Sequence, residues 1–251
     1  MSHAPESVLL TRPEPGLSTS AALLRQHGLR VRCLPLLRIA GAVRFDTATL
    51  RQAQAAHWLI FTSRNAVRFA PDWRPPPARC AAVGPGTAEA LAARGWPVDL
   101  LPQGATSESL LAAPELATVA GQGIVVVGGS GGRRTLAAVL RARGARVDKL
   151  ITYRRETVDW SAAELQVAVQ DRPVAVFTSG AALRHWDRLA RAAGLPAARE
   201  LDLVVGSQRL CKLARRLGFR QSIEILAQMS DTALLSTLQA ARRPENWQAN
   251  D

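Results

Sequence analysis

The sequence has little of what most enzyme chemistry is built from. Its 251 residues include three cysteines, four histidines and a single tyrosine. Cys33, Cys80 and Cys211 are odd in number and far apart, and they fit no zinc or redox spacing, so free buried thiols are expected. His3, His27, His57 and His185 lie in no metal-ligand spacing and form no Ser/His/Asp set, so each reads as surface or structural. No pair of carboxylates stands out. These absences argue against a metal site and an activated nucleophile. What is left is positioning, anion binding and one proton donor. No apolar run approaches the length of a membrane span. Val8-Leu9-Leu10 is too short for a signal-peptide core, so a cytoplasmic location is expected.

Acidic residues are also scarce: 20 against 32 Lys and Arg, a net charge of +12. Such a balance suggests a polyanionic partner. Aromatics make up only 5% of the chain, the basic residues form no run, and no nucleic-acid motif is present. Arg25, Arg94, Arg141, Arg143, Arg215 and Arg216 are scattered over helix surfaces and ends. A small molecule with many carboxylates fits the charge as well as nucleic acid does.

What the chain does have is a repeat. Phe61-Thr62-Ser63-Arg64-Asn65-Ala66-Val67 returns 116 residues later as Phe177-Thr178-Ser179-Gly180-Ala181-Ala182-Leu183. His27-Gly28 matches Arg143-Gly144 at the same offset. Ala82-Val83-Gly84-Pro85 matches Val204-Val205-Gly206-Ser207, and Thr106-Ser107-Glu108 matches Met229-Ser230-Asp231, at slightly larger offsets. One insertion near Gly194-Leu195-Pro196 accounts for the growth. The chain is therefore two related halves, roughly 1–120 and 121–243. Each Phe-Thr-Ser closes an apolar run that reads as a buried strand and opens a helix-like pattern. A strand that delivers Thr and Ser to a helix N-terminus meets unpaired N–H groups and the positive end of the dipole, a place suited to carboxylate or phosphate. Ser63 and Ser179 read first as helix caps; two copies in one chain strengthen the anion-site reading.

The rest alternates strand and helix. Strands are expected at 8–11, 31–34, 79–83, 98–101, 124–127, 146–150, 203–206 and 223–226. Helices are expected to stop at Gly28, Gly95, Gly144 and Gly218. Pro35–Ile39 and Ile151–Arg155 read as extended linkers at equivalent repeat positions. Alternating βα units imply parallel sheets with helices on both faces. Two Gly-rich turns invite a nucleotide reading and fail it. Gly128-Gly129-Ser130-Gly131-Gly132-Arg133-Arg134-Thr135 lacks the Gly-Lys-Ser/Thr of a P-loop and the third Gly of a dinucleotide fingerprint, and Gly84-Pro85-Gly86 leads to Glu89. Both turns still offer backbone N–H groups to an anion.

Taken together, these residues resemble uroporphyrinogen-III synthases over about residues 6–240. The likeness rests on Val8–Pro13 with Leu34-Pro35-Leu36, Phe61-Thr62-Ser63, Val83-Gly84-Pro85-Gly86-Thr87-Ala88 and Thr106-Ser107-Glu108. Further along the chain it rests on Gly129-Ser130-Gly131-Gly132-Arg133, Tyr153-Arg154-Arg155, Phe177-Thr178-Ser179-Gly180 and Ser230-Asp231. The resemblance implies an α/β protein of two similar domains, each a flavodoxin-like parallel sheet flanked by helices, joined by a two-stranded linker with the substrate in the cleft. One domain would be 1–35 with 155–251, the other 40–149, and the linkers 36–39 and 150–154. The repeat by itself is compatible with this crossed assembly and with tandem domains.

The resemblance further implies an enzyme without cofactor or metal. It would cyclise hydroxymethylbilane, a linear tetrapyrrole with eight carboxylates, and invert its last ring with loss of water. Tyr153 is the implied catalytic residue, assisting departure of the hydroxyl. Thr11, Arg12, Thr62, Ser63, Gly84, Gly86, Thr87, Ser107, Gly129, Gly131, Gly132, Arg133, Thr178, Ser179 and Ser207 are the implied substrate-binding positions. The expected partner is the tetrapyrrole, not nucleic acid or membrane. A monomer is expected, with transient contact to the enzyme that produces hydroxymethylbilane. Two departures stand out: Gly128 where bacterial relatives usually carry Arg, and Gly206-Ser207-Gln208-Arg209 without the Pro and Thr of the first-half turn. A degenerate paralogue and a two-domain protein that binds a polycarboxylate without chemistry remain the alternatives.

Overall fold

The computed structural model describes residues 7–42, 44–73, 78–104, 106–131 and 135–240. In chain order, β1 (Ser7–Leu10), α1 (Gly16–Gln26), β2 (Arg30–Cys33), β3 (Leu37–Gly41), α2 (Thr47–Gln54), β4 (Trp58–Phe61), α3 (Arg64–Arg68), β5 (Arg79–Ala82), α4 (Pro85–Ala93) and α5 (Ser107–Leu111) come first. They are followed by β6 (Gly123–Gly129), α6 (Thr135–Ala142), β7 (Arg146–Thr157), α7 (Ala162–Val169), β8 (Val174–Phe177), α8 (Gly180–Ala192), β9 (Leu203–Val205), α9 (Gln208–Leu217), β10 (Ile223–Ile225) and α10 (Asp231–Ala240).

Contacts divide the chain into two compact units, Met1–Arg38 with Glu156–Asp251, and Ile39–Arg155. The first unit holds a five-stranded sheet in the order β10-β9-β8-β1-β2, every neighbouring pair parallel. The second holds the order β3-β7-β6-β4-β5, with β4 parallel to both β5 and β6, and β6 parallel to β7. The repeat explains the likeness of the two sheets. β4 and β8 are its Phe-Thr-Ser strands, and β5 corresponds to β9, β6 to β1 and β7 to β2. The order β5-β4-β6-β7 is thus the order β9-β8-β1-β2 over again. The sequence halves are not the compact units: each sheet draws strands from both halves. The stretches 36–39 and 150–154 overlap β3 and β7, both strands of the second sheet.

Helices cover both faces of each sheet, so the central strands β4, β8 and β9 are apolar at every position and β1 at all but Ser7. In the first unit, Leu9, Ala175, Phe177, Leu203 and Val205 face Trp186, Leu183 and Leu210 of the α8–α9 side, while Val8, Leu10, Val174 and Val176 face α1 and α10. In the second, Leu59, Phe61, Val125 and Val127 pack with Ala66, Val67 and Leu91 of α3 and α4; Trp58, Ile60, Ile124 and Val126 pack with Leu110, Leu136 and Leu140 of α5 and α6.

Several expectations need correction. Val98–Leu101 is not a strand: Pro97 and Pro102 flank it and lack the ladder N–H, and only Leu100 bridges to Ala81. The helix after Phe61 is only five residues long. β7 does not end at Leu150 but continues as one twelve-residue strand through the expected linker. α7 was not expected, although Ser161 and Glu164 form its capping box, Ser161 Oγ accepting from the Glu164 N–H and Glu164 from the Ser161 N–H. Of the three cysteines only Cys80 is buried; Cys33 is exposed and Cys211 half-buried. His185 is buried, its Nε2 paired with the Val158 carbonyl, while His27 and His57 lie at the surface; His3 falls outside the described residues.

One irregularity shapes the second unit. Along the β6–β7 pair, Gly128 faces Ile151 but Gly129 faces Tyr153, so Thr152 is an extra residue in β7. Such a bulge re-aims side chains. Strict alternation would bury only one of two successive residues, yet Thr152 and Tyr153 are 0% and 3% exposed. Both turn towards α3. Thr152 Oγ1 donates to the Ala66 carbonyl at 3.2 Å, and the Tyr153 hydroxyl meets Ser63 Oγ at 3.1 Å. The Tyr153 ring passes so close to β6 that a β-carbon on Gly129 would stand 2.6 Å from it.

Two predictions follow from this packing. Gly129→Ala forces the Tyr153 ring off its seat and should cost about 1–3 kcal/mol in urea unfolding; unchanged stability would show the ring free to move. Burial, with the nearby Asp99 charge, pushes the Cys80 thiol up to about 11. The reactive form of a thiol is the thiolate, so at pH 8 Cys33 should react with a disulfide reagent in the native protein and Cys80 only after unfolding. Rapid native labelling of Cys80 would contradict its burial.

Candidate functional site

In open parallel sheets, ligands sit outside the carboxyl ends of the strands, where the direction of winding reverses. In the second unit that reversal lies between β4 and β6. In the first it lies between β8 and β1. The implied site residues cluster at these strand ends.

At the second unit's reversal, Thr62 follows β4 and donates from Oγ1 to the Val127 carbonyl of β6 at 3.1 Å. The two strands approach so closely there that a β-carbon at Gly128 would stand 2.5 Å from Thr62 Oγ1. Gly128 is therefore set by this contact, and a longer side chain in its place would require Thr62 to move. Ser63 is the N-cap of α3, its Oγ accepting the Ala66 N–H at 3.1 Å. The same oxygen meets the Tyr153 hydroxyl, which also accepts from Arg155 Nη2 at 3.4 Å. The Arg155 guanidinium lies 5.6 Å from the centre of the Tyr153 ring. The structure thus joins Ser63, Tyr153 and Gly129 and adds Arg155.

Gly84 caps α4 with extended backbone and Pro85 fills its first turn. The Thr87 N–H already donates to the Gly84 carbonyl, and Thr87 is buried. Arg64 lies against this turn: a β-carbon on Gly86 would stand 2.5 Å from its Nη2. The Arg64 side chain is exposed and has no hydrogen bond or ion pair among the described residues. Arg64 and Arg155 are the site cations that sequence reasoning passed over, although each stands within an already singled-out motif. Ser107 opens α5, but the cap is Thr106, which shares a capping box with Ser109. Gly131 takes φ +75°, and its carbonyl accepts from Lys149 Nζ at 2.7 Å. Gly132 and Arg133 lie outside the described residues.

The first unit repeats the arrangement with differences. Thr11 Oγ1 donates to the Val176 carbonyl at 2.7 Å, tying β1 to β8 at the reversal as Thr62 ties β4 to β6. Thr178 and Ser179 follow β8, and Ser179 Oγ accepts the Ala182 N–H at 3.2 Å. Ser207 caps α9 in the same way, at 3.4 Å. Arg12 has a partner inside the unit: its Nη1 reaches Asp231 Oδ1 at 2.7 Å and Ser20 Oγ at 2.8 Å, holding the start of α10 to α1. With about a third of the Arg12 side chain exposed, the pair is worth roughly 1 kcal/mol or less, and its guanidinium is available to a ligand only in competition with Asp231.

Chemically, these strand ends offer hydroxyl and backbone N–H donors and, in the second unit, cations. They are suited to carboxylates. No group of three or more metal-binding side chains occurs among the described residues.

Comparisons with known proteins bear on the family and the fold. The family model described as Uroporphyrinogen-III synthase HemD matches residues 18–228. The chain is 32% identical over 247 residues to the uroporphyrinogen-III synthase of Salmonella typhimurium and 33% identical over 247 residues to that of Escherichia coli, in each case covering 93% of this chain and all of the relative. Among solved structures, the uroporphyrinogen-III synthetase of Helicobacter pylori superposes with a TM-score of 0.62 at 14% identity, over 94% of this chain and 99% of that one. A mutant uroporphyrinogen III synthase of Thermus thermophilus gives 0.57 at 18% identity, over 94% and 98%. These two share the fold. The extent of the family match and of the two bacterial relatives leads to one conclusion: this chain belongs to the uroporphyrinogen-III synthase family.

Proposed function

We propose that this chain catalyses the closure of hydroxymethylbilane to uroporphyrinogen III, inverting the last pyrrole ring and releasing water, in tetrapyrrole biosynthesis. The observation that carries the reading is the family match across residues 18–228, with two synthases covered from end to end. The chemistry of the strand ends supports it. The substrate is a polycarboxylate, and the sheet reversal of each unit carries hydroxyl groups and capped helix N-termini of the kind that suit carboxylates. The chain works in the cytoplasm as a monomer, without a cofactor, and its ligand is neither nucleic acid nor membrane. It receives its substrate in transient contact with the enzyme that makes it.

In this reading the hydroxyl of the substrate leaves as water to give an azafulvene. Attack at the substituted carbon of the last ring gives a spiro intermediate, which fragments and recloses with that ring inverted. The protein's part is to hold carboxylates at the backbone N–H groups of Ser63, Gly86, Gly131 and Ser179, which survive a change of side chain, and to assist the departing oxygen near Tyr153. Donors fixed in advance around developing charge are usually the largest catalytic contribution.

Product analysis tests the proposal. With hydroxymethylbilane supplied, the type III isomer should form, since uncatalysed closure gives type I; type I alone would leave a binding protein without the chemistry. Affinity for a uroporphyrin-type octacarboxylate should weaken as salt rises, because partly exposed charges are screened within about 8 Å at physiological ionic strength. Tight, salt-resistant binding of random duplex DNA would instead favour a nucleic-acid partner.

A further inference from the structure

The hydrogen-bond order around Tyr153 has a direction that the chemistry of its partners settles. Arg155 can only donate, so the phenolic oxygen of Tyr153 is the acceptor of that bond. The phenolic hydrogen then needs an acceptor of its own. Tyr153 is 3% exposed, and its only other hydrogen-bond partner among the described residues is Ser63 Oγ. If Ser63 donated instead, the phenol would carry a buried hydrogen with no acceptor, at a cost of about 1–3 kcal/mol. Tyr153 therefore donates to Ser63. Ser63 Oγ already accepts the Ala66 N–H. With both its acceptor positions taken, the hydroxyl hydrogen of Ser63 is left over, and no protein acceptor for it occurs among the described residues. Ser63 lies just beyond β4 and is partly exposed, whereas Tyr153 is enclosed by Gly129, Phe69 and Arg155.

On the basis of the proposed function, we infer that Ser63, not Tyr153, is the catalytic donor to the departing hydroxyl, and that Tyr153 and Arg155 are positioning residues that act through it. As the C–O bond breaks, its electron pair stays on the departing oxygen. That oxygen takes the Ser63 proton and leaves as water. Ser63 takes the Tyr153 proton, and the phenolate so formed faces the Arg155 guanidinium. The pyrrole N–H proton released as the azafulvene forms passes to Ser63 Oγ while Ser63 returns its proton to the phenolate, so the relay ends as it began. The Thr152 bulge makes the relay possible, because in regular register Tyr153 would point away from α3.

The test is kcat and KM for type III formation in a set of variants. Ser63→Gly removes the donor and costs only a few tenths of a kcal/mol as a cap. It should lower kcat about 10–100-fold and leave KM within about threefold of wild type. Ser63→Thr keeps the hydroxyl and should stay within about threefold in kcat. Ser63→Asp caps the helix and accepts from Tyr153 but has no proton to give at neutral pH; it should fall as far as Ser63→Gly, even if the glycine variant folds poorly. Tyr153→Phe should lower kcat by no more than Ser63→Gly. The double variant should be no slower than Ser63→Gly alone, since residues in one relay are not additive. Near-wild-type kcat in Ser63→Gly, or a double variant slowed by the product of the two single effects, would overturn the relay and leave the functional reading standing. A wild-type protein that yields only the type I isomer would overturn both.

Discussion

The meeting of Tyr153 with Ser63 depends on one extra residue in β7. A regular parallel pair alternates its side chains, and β7 would then place Thr152 and Tyr153 on opposite faces. The bulge opposite Gly128 and Gly129 turns both towards α3. A helix of five residues is not stable by itself. Here α3 is held from below by Thr152 on the Ala66 carbonyl and by Tyr153 on its cap, and from within by Ala66 and Val67, both fully buried. The strand end, the helix start and the phenol are thus one packed unit. Gly129 belongs to it because only a residue without a β-carbon lets the ring lie against β6.

The same economy accounts for much of the positive charge. Several of the arginines that make the chain basic donate to the protein's own carbonyls. Arg94 reaches those of Val67 and Ala70; Arg143 reaches those of Leu111 and Leu116. Arg215 reaches Phe219 and Gln221, and Arg25 reaches Val31. Most of these carbonyls lie at or just beyond helix ends, where the chain leaves acceptors unpaired. Arginine's forked donors suit such work. Net charge therefore overstates the cations free to meet a ligand. Arg64 differs in having no such partner among the described residues while lying against the Gly84–Thr87 turn.

Much of the architecture could be read in the sequence because the signals were local. The Phe-Thr-Ser repeat marked β4 and β8 and their serine caps, and Gly28, Gly95, Gly144 and Gly218 all take positive φ at helix ends. What was not legible depended on neighbours in space. Nothing in Leu150-Ile151-Thr152-Tyr153 announces a bulge, because the extra residue is defined only against β6. Val98–Leu101 has strand composition, but its flanking prolines limit it to a single bridge. Nothing local shows that the hydroxyls of Thr11 and Thr62 donate across the two sheet reversals, because their acceptors lie on strands far off in the chain. The capping box of α7 was legible and went unread.

On the proposed function, the ligand meets the carboxyl ends of the strands. Hydrogen–deuterium exchange with and without a uroporphyrin-type octacarboxylate tests it most directly. The account predicts slowed exchange at 62–66, 84–88 and 128–131 in the second unit and at 178–182 in the first, with β2 and the basic face of α9 unchanged. Protection confined to α9, where Lys212, Arg215 and Arg216 line a surface pocket, would contradict it.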